Sequence, residues 1–511
     1  MRTKKAVKNM AAAMAYQIVA IVCGLITPRL ILANFGSTYN GVINSATQFL
    51  SMINILTLGI TGATRVELYK TLAKEDTLGT SRIMKATKRY MRKVGLCVIL
   101  YAIVLCLIYP YISHNSLTRA ENALIICIVS IGTFAQYFFG ISNRTLLQAD
   151  QASYVSYLLD IFKIIVNTIC VVILIQLGGN IYVVKLGSSI VYLITPAVME
   201  LLVRKKYHLI NDCEPDNTGI EQRGAVAFLS IANLVHNNVD LVLLTLFTDA
   251  KMISVYTVYY LVVGKIKQLM MIVMTGMEAA FGNMWAKGEM EALQRNFRGL
   301  EYVIYTFTAI VFSCVGILIL PFIERYTAGI RDVNYVRLDL AILITFAEAF
   351  YCFRQPYLTL VQAAGHYKET KNGSAVEAII NLTVSLILVN FIGISGVIIG
   401  TLAANIFRTT QYGYYISKHI LGRSFMEIVR RVLWTLGCGT MICVICIPLQ
   451  SRMVFATGWG GWVCEATLVF AISCICVAIM SILFYRSDVT FILNAAMRMS
   501  RPAKNENSAS R

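Results

Sequence analysis

A stretch near the start of the chain, AAAMAYQIVAIVCGLITPRLILA (11–33), is almost entirely apolar. A helix needs about 20 such residues to cross the hydrocarbon of a bilayer, where only helices and closed barrels satisfy their backbone polar groups. Similar stretches recur along all 511 residues, of which 57% are hydrophobic and 14% charged. Soluble domains carry about 25% charged residues. The sequence therefore predicts an all-α, polytopic membrane protein.

About fourteen segments are predicted to span the membrane, with boundaries accurate to a few residues. They are 11–33, 41–64, 94–113, 121–143, 151–177, 179–203, 224–247, 252–277, 299–322, 337–364, 373–392, 395–417, 431–450 and 462–485.

Lysine and arginine divide unevenly between the connections on the two sides of the membrane. Of the 45, 32 lie on the side of the two termini, six on the other side and seven inside the segments. Cytoplasmic connections carry such an excess, so both termini are predicted to be cytoplasmic. The basic stretch 82–94 is predicted to form an interfacial helix on anionic lipid. This distribution explains the net charge of +18 by the orientation of the chain in a membrane, so no nucleic acid partner is predicted.

Short matches recur along the chain at an offset of about 212 residues, such as LLQAD (146–150) with LVQAA (360–364). They predict two six-helix halves in parallel repeat, an architecture of secondary transporters. The predicted domains are an N-terminal six-helix lobe, 1–210, a cytoplasmic linker, 211–223, a C-terminal six-helix lobe, 224–420, and two additional helices with a cytoplasmic tail, 421–511.

Metal, cofactor and catalytic sites are not predicted. The fourteen cysteines sit mostly in apolar segments, and the five histidines are scattered singly. Neither set has the spacing of a zinc site, and no nucleotide-binding loop is present.

The most informative residues are seven cations inside the predicted segments. They are Arg29, Lys163, Lys185, Lys265, Lys267, Arg354 and Arg408. A charge at the bilayer centre costs about 2.5–3.5 kcal/mol even on the lenient insertion scale, so seven cannot all face lipid. Only three acids, Asp160, Asp240 and Glu348, lie clearly within segments.

Three explanations remain open for these cations. Arg29 and Lys185 lie near segment ends, where long side chains can reach the headgroups. The deeper ones can pair with the three acids. Because cations outnumber those acids, full pairing still leaves a positive surplus, which predicts a hydrated chamber and an anionic passenger. The candidate substrate-binding cations are Arg29, Lys163, Lys265, Lys267, Arg354 and Arg408.

Two polar stripes add further candidates. Tyr256 and Tyr260 share a helical face with Lys267 and could stack on sugar rings, although an interfacial aromatic belt is the alternative. Asn233, Asn237 and Asp240 form the second stripe, with His236 beside them. Candidates for ion coupling are Asp240, His236, Asn237 and Glu348. Hydrogen bonding between helices is the alternative for this stripe.

The motifs PRLILANFG (28–36), LYKTLAKED (68–76), FGNMWAKGE (281–289) and LVQAAGHYKETK (360–371) resemble the bacterial polysaccharide-transporter, or Wzx-type, flippases. These belong to the MATE-like MOP superfamily, and the resemblance runs across roughly 8–425. It implies translocation of an undecaprenyl-pyrophosphate-linked oligosaccharide from the cytoplasmic to the outer leaflet of a bacterial inner or plasma membrane. It also implies a substrate role for Arg29, and work alongside a polysaccharide polymerase and glycosyltransferases.

Two rival classes are weighed against a flippase. A MATE-like ion-coupled drug or metabolite exporter for cationic substrates would need an acidic cavity, which the cation surplus argues against. A membrane glycan polymerase or acyltransferase would need a sizeable outer loop or a catalytic cluster, and the longest predicted outer connection is only about 323–336. The sequence thus favours transport without enzymatic chemistry.

Overall fold

The computed structural model describes residues 2–57, 60–210, 212–217, 238–452 and 458–500, and the regular structure in these ranges is helical. This confirms the all-α, polytopic prediction. The helices are α1 Arg2–Ser51, α2 Ile60–Ala73, α3 Thr77–Ile112, α4 Arg119–Ala135, α5 Ile141–Ala149, α6 Ser153–Gln176, α7 Ile181–Tyr207, α8 Asn238–Phe247, α9 Ala250–Ala286, α10 Met290–Tyr326, α11 Leu338–Ala363, α12 Tyr367–Ile392, α13 Ile394–His419, α14 Met426–Arg452, α15 Trp459–Phe484 and α16 Arg486–Ser500.

Ten stretches in the described ranges are helical, long and apolar enough to cross a membrane. They do not include α11 and α13, which occupy two predicted segments but carry Glu348, Arg354 and Arg408. The first predicted segment and residues 41–57 of the second fall within one of the ten stretches, Lys8–Thr57, and the second segment extends into α2. Predicted segment seven lies partly outside the described residues, and α8 is its described end.

The first two predicted segments are separated by a single residue rather than a loop. Gly36 has φ +83° and ψ 177°, which breaks the helical course of α1. Glycine adopts this conformation at no steric cost, whereas an L side chain would be strained. A Cβ there would also lie 3.2 Å from the Asp332 carboxylate.

The basic stretch 82–94 is helical, as predicted, but it does not form a helix of its own, and its interfacial position stays a prediction. These residues belong to the 36-residue helix α3, which continues into predicted segment three. One face of this stretch, including Ile83, Met84 and Met91, is buried, so packing against neighbouring helices holds it in line with the span.

The chain forms two compact units. One comprises 1–261, 327–335 and 385–397, and the other comprises 262–326, 336–384 and 398–511. In the second unit, α10, α14 and α16 meet through ion pairs. The fully buried Glu301 accepts a 3.1 Å contact from Arg431, whose guanidinium also donates to Asp488 at 2.9 Å. Arg423, in the connection before α14, binds Glu301 at 2.6 Å. These pairs join α14 and α16 to α10 within the second unit.

Candidate functional site

Two predicted cations of the second unit share one carboxylate. Glu377 on α12 accepts Arg354 Nη1 at 2.5 Å and lies 3.3 Å from Arg408 Nε. The side chains of Arg354 and Arg408 are only 7% and 2% exposed. Arg408 also donates to the Thr370 carbonyl and to the Ser374 and Tyr412 hydroxyls. Buried guanidinium groups need such hydrogen bonds, because desolvation alone is so unfavourable.

The close approach of Arg408 depends on glycine. A Cβ at Gly373 would lie 2.2 Å from Arg408 Nη1, so any larger residue there would displace the guanidinium.

Lys267 joins the same network through an aromatic ring. Its Nζ lies 3.5 Å from the Glu348 carboxylate and 3.6 Å from the centroid of the Tyr351 ring. The Arg354 guanidinium lies 4.4 Å from the same centroid. Cation–π contacts of this kind strengthen when the groups are shielded from water. Three cations thus share two carboxylates around Tyr351, leaving one net positive charge.

The first unit repeats this arrangement around Asp160. The carboxylate accepts Lys163 at 2.8 Å and Arg144 at 2.7 Å, and it is itself only 5% exposed. These three side chains line a cavity of about 150 Å³, with Tyr16 and Gln136 also in its wall. Gln136 begins a single π-helical turn, Gln136–Gly140, between α4 and α5. Such turns are frequent at functional sites.

Arg29 contacts a connection and no carboxylate within the described ranges. Its Nη2 donates to the Ala328 carbonyl at 2.7 Å, while Nη1 is buried and has no hydrogen-bond partner among the described residues. This guanidinium therefore keeps an unused donor, the property required of a group that binds an anion.

The segment that Arg29 contacts, 327–335, is anchored in the first unit by further hydrogen bonds. Asp332 accepts the Ser37 backbone N–H at 2.8 Å and its hydroxyl at 2.6 Å. Tyr335 hydrogen-bonds with Ser37 and Ser254. Burial raises the pKa of Tyr335 to about 12, so the phenol stays protonated at neutral pH.

The helical face predicted to carry Tyr256 and Tyr260 is only partly accessible to solvent. Tyr256 and Tyr260 stack with ring centroids 5.8 Å apart and an interplanar angle of 12°. Tyr256 is 6% exposed and donates to Asp240 at 3.0 Å, whereas Tyr260 is half-buried.

The remaining candidates are less constrained. Lys265 is half-buried and approaches Gln268 Oε1 at 3.5 Å. Three members of the second polar stripe lie outside the described residues: Asn233, His236 and Asn237. Their predicted roles stay predictions.

Comparison with known proteins identifies the fold. No protein-family model and no curated protein matches the sequence. Among solved structures, the lipid II flippase MurJ in an inward closed conformation matches with a TM-score of 0.69 at 13% identity, over 94% of this chain and 100% of that one. The MATE multidrug transporter DinF-BH matches with a TM-score of 0.61 at 14% identity, over 81% of this chain and 95% of its own.

An inward-facing MATE family transporter of the MOP superfamily also matches, with a TM-score of 0.57 at 14% identity, over 81% of this chain and 98% of that one. The chain shares the fold of these three solved structures. It is accordingly a multi-pass membrane protein, as its helices also indicate.

Within this fold, several groups that organise the charges are not evident from the sequence. Glu377 lies near the start of predicted segment 373–392 and is not among the three acids clearly within segments, yet it is the partner of Arg354 and Arg408. Tyr351 lies three residues after Glu348 and three before Arg354, a helical spacing that places all three on one side and could have revealed the network. Arg144 was placed in a connection because it lies one residue beyond a predicted segment.

Proposed function

We propose that this protein is a flippase that moves an undecaprenyl-pyrophosphate-linked oligosaccharide, a repeat unit of a surface or capsular polysaccharide, across a bacterial inner or plasma membrane. Transport runs from the cytoplasmic to the outer leaflet by alternating access, with both termini cytoplasmic. The protein works beside glycosyltransferases and a polysaccharide polymerase, and it catalyses no covalent step.

The observation that carries the proposal is the charge balance of the candidate residues. Asp160 is shared by two cations, and Glu348 and Glu377 are shared by three. Arg29 and Lys265 have no carboxylate partner among the described residues. A positive interior favours an anionic passenger, because an unpaired cation in a low-dielectric site gains most from a counter-charge.

The similarity to MurJ supports a lipid-linked substrate. MurJ is a lipid II flippase, and its match covers nearly all of both chains. The two MATE matches cover almost all of their own chains but leave roughly a fifth of this one unmatched.

Each candidate residue has a distinct role in this proposal. Arg29 in the first unit, and Lys265 and Lys267 in the second, are each proposed to bind phosphate oxygens, which accept strong charge-assisted hydrogen bonds. Tyr260 stacks on a sugar ring, with Tyr256 holding it in place. Lys163, Arg354 and Arg408 keep the chamber positive. Lys267 can exchange Glu348 for substrate, and Glu348 can then take up a coupling ion, a role also proposed for Asp240, His236 and Asn237.

The membrane potential assists this direction of movement. The cytoplasmic side is negative, so each anionic charge that leaves gains about 2.3 kcal/mol per 100 mV.

A MATE-like exporter of drugs or metabolites is the second candidate, favoured by TM-scores of 0.57 and 0.61 to MATE transporters. Proteins with this fold can differ in the polarity of their binding pockets. A MOP superfamily transporter from Pyrococcus furiosus, 13% identical with a TM-score of 0.51 over 82% of this chain and 94% of its own, is described as having a binding pocket of reverse polarity that suggests a different function.

Substitution of the cations tests the flippase proposal in cells. Arg29→Ala and Lys267→Ala should each reduce surface glycan at least about tenfold, since losing a hydrogen bond to a charged group costs roughly 1.5–3 kcal/mol. The lipid-linked precursor should accumulate inside. Lys371→Ala, which removes an exposed cation, is the matched control and should export normally. Normal export by both chamber variants at wild-type protein level would contradict the assignments.

A further inference from the structure

A second positively charged cavity lies in the first unit, and none of its lining residues is among those proposed to bind the transported substrate. It has a volume of about 670 Å³ and is formed by α3, the C-terminal end of α7 and the connection after α7. Five cations and one carboxylate line it: Lys85, Lys88, Arg89, Arg92, Arg204 and Glu200. A volume of this size is typical of small-ligand sites, which span roughly 300–1,000 Å³.

The single carboxylate is already satisfied by its neighbours. Glu200 accepts Lys88 at 2.8 Å and Arg204 at 2.7 Å, and Asn143 donates to it at 2.6 Å. Lys85 donates to the Cys213 carbonyl at 2.8 Å. Arg89 and Arg92 have no carboxylate partner in the described part of the chain. The cavity therefore carries a surplus of positive charge that its own walls do not neutralise.

The described part of the connection after α7 closes one side of this cavity, and none of its acidic side chains is among the lining residues. Ile210 N donates to Ser81 Oγ at 3.0 Å, and Asp216 N donates to the Arg82 carbonyl at 3.2 Å. The acidic side chains of this connection, Asp212, Glu214 and Asp216, are exposed and are not among the lining residues.

The cations of α3 are placed by helical periodicity. Ser81, Lys85, Lys88, Arg89 and Arg92 recur at the spacing of one helical face and line the cavity, whereas Arg82 and Lys93 on the same helix do not. All of these cations lie on the predicted cytoplasmic side, where anionic headgroups attract basic clusters.

We propose that this cavity binds a phosphate-bearing anion, with the headgroup of an anionic phospholipid as its source. Arg89 and Arg92 bind the phosphate oxygens, for which the planar guanidinium is geometrically suited. Its lining residues are not among the proposed translocation residues, and the inference does not rest on the proposed function.

The experiment measures binding to the purified protein in neutral detergent. The probes are dihexanoyl phosphatidylglycerol, dihexanoyl phosphatidylcholine as the zwitterionic control, and inorganic pyrophosphate as a soluble phosphate. Arg89→Gln/Arg92→Gln removes two lining charges, and the matched control, Arg82→Gln/Lys93→Gln, removes two exposed charges from the same helix. All four of these side chains are exposed. If the double variant is unstable, the single variants Arg89→Gln and Arg92→Gln replace it in the binding measurement.

We expect saturable binding of the anionic lipid, weakened roughly tenfold to hundredfold in the lining variant and less than about twofold in the control. Saturable binding of pyrophosphate alone, with the same dependence on the lining arginines, would support the anion site but assign it to a soluble phosphate. Equal weakening by both double variants would show diffuse surface attraction and overturn the proposal. Absence of saturable binding for every probe would overturn it as well.

Discussion

At the scale of single residues, the charges in the membrane segments are organised by sharing. Glu377 serves both Arg354 and Arg408, and Asp160 serves both Lys163 and Arg144. Sharing lowers the cost of burying each cation while keeping one positive charge in excess. This sharing of carboxylates explains why the apolar helices of this chain can contain arginine and lysine.

Removing a shared carboxylate should therefore destabilise the protein strongly. Glu377→Gln leaves two buried guanidinium groups without a counter-charge, and breaking a buried pair typically costs about 3–5 kcal/mol. We expect a clear loss of thermal stability, measured by unfolding of the purified protein in detergent.

The control for this measurement is a surface ion pair. Lys70 binds Glu67 at 2.8 Å with its own side chain 63% exposed. Glu67→Gln should therefore change the stability by less than about 1 kcal/mol. If Glu377→Gln unfolded at the same temperature as Glu67→Gln, the shared-carboxylate account would be wrong.

Sequence reasoning found the unusual residues but could not assign all their partners. Hydropathy marks Arg354 and Arg408 as anomalous, because they interrupt apolar helices. Their partner Glu377 lies on another helix, and contacts between helices depend on packing that a single sequence does not reveal. The pairing of Lys163 with Asp160 is local, three residues apart on one helix, and was among the predicted alternatives.

At the scale of elements, the connection 327–335 is the most distinctive feature. It follows α10 and precedes α11, two helices of the second unit, yet it packs within the first. Arg29, Ser37 and Ser254 hold it by hydrogen bonds. If the proposed alternating access is right, we expect this connection to release during each cycle.

A reversible covalent bond tests this release. Ser37 Oγ and Asp332 Oδ1 are 2.6 Å apart, so Ser37→Cys with Asp332→Cys places two thiols on neighbouring side chains, and their disulfide is verified by thiol counting after oxidation. We expect the oxidised double variant to stop exporting glycan in the cellular assay and to recover on reduction. Each single cysteine variant, oxidised in the same way, controls for the fourteen native cysteines.

Full export by the cross-linked protein would show that this connection stays in place throughout the cycle. The expectation that connection 327–335 releases during each cycle would then be wrong.

Element boundaries were the weaker part of the sequence prediction. Segments one and two were separated by an assumed connection, whereas only Gly36 breaks the helix. The basic stretch 82–94 was separated from segment three because of its charge. Hydropathy measures the solvent that a residue prefers, and a helix can pass from cytoplasm into lipid without a break.

At the scale of the whole molecule, the all-α, polytopic architecture could be predicted because the bilayer limits the choice of backbone so severely. The match to MurJ over 94% of this chain at 13% identity shows that this fold persists after most side chains have changed. The parallel repeat and the domain boundaries stay predictions. The substrate depends on a few polar side chains, which the fold alone does not specify.

Transport in a purified system tests the central claim most directly. The protein is reconstituted into liposomes with a fluorescent polyprenyl-pyrophosphate oligosaccharide, and the fraction of this lipid accessible in each leaflet is followed over time. The account predicts protein-dependent translocation that Arg29→Ala slows at least about tenfold, with Lys371→Ala unaffected. Failure to move this lipid, together with uptake of a cationic dye by the same liposomes, would contradict the account and favour a drug exporter.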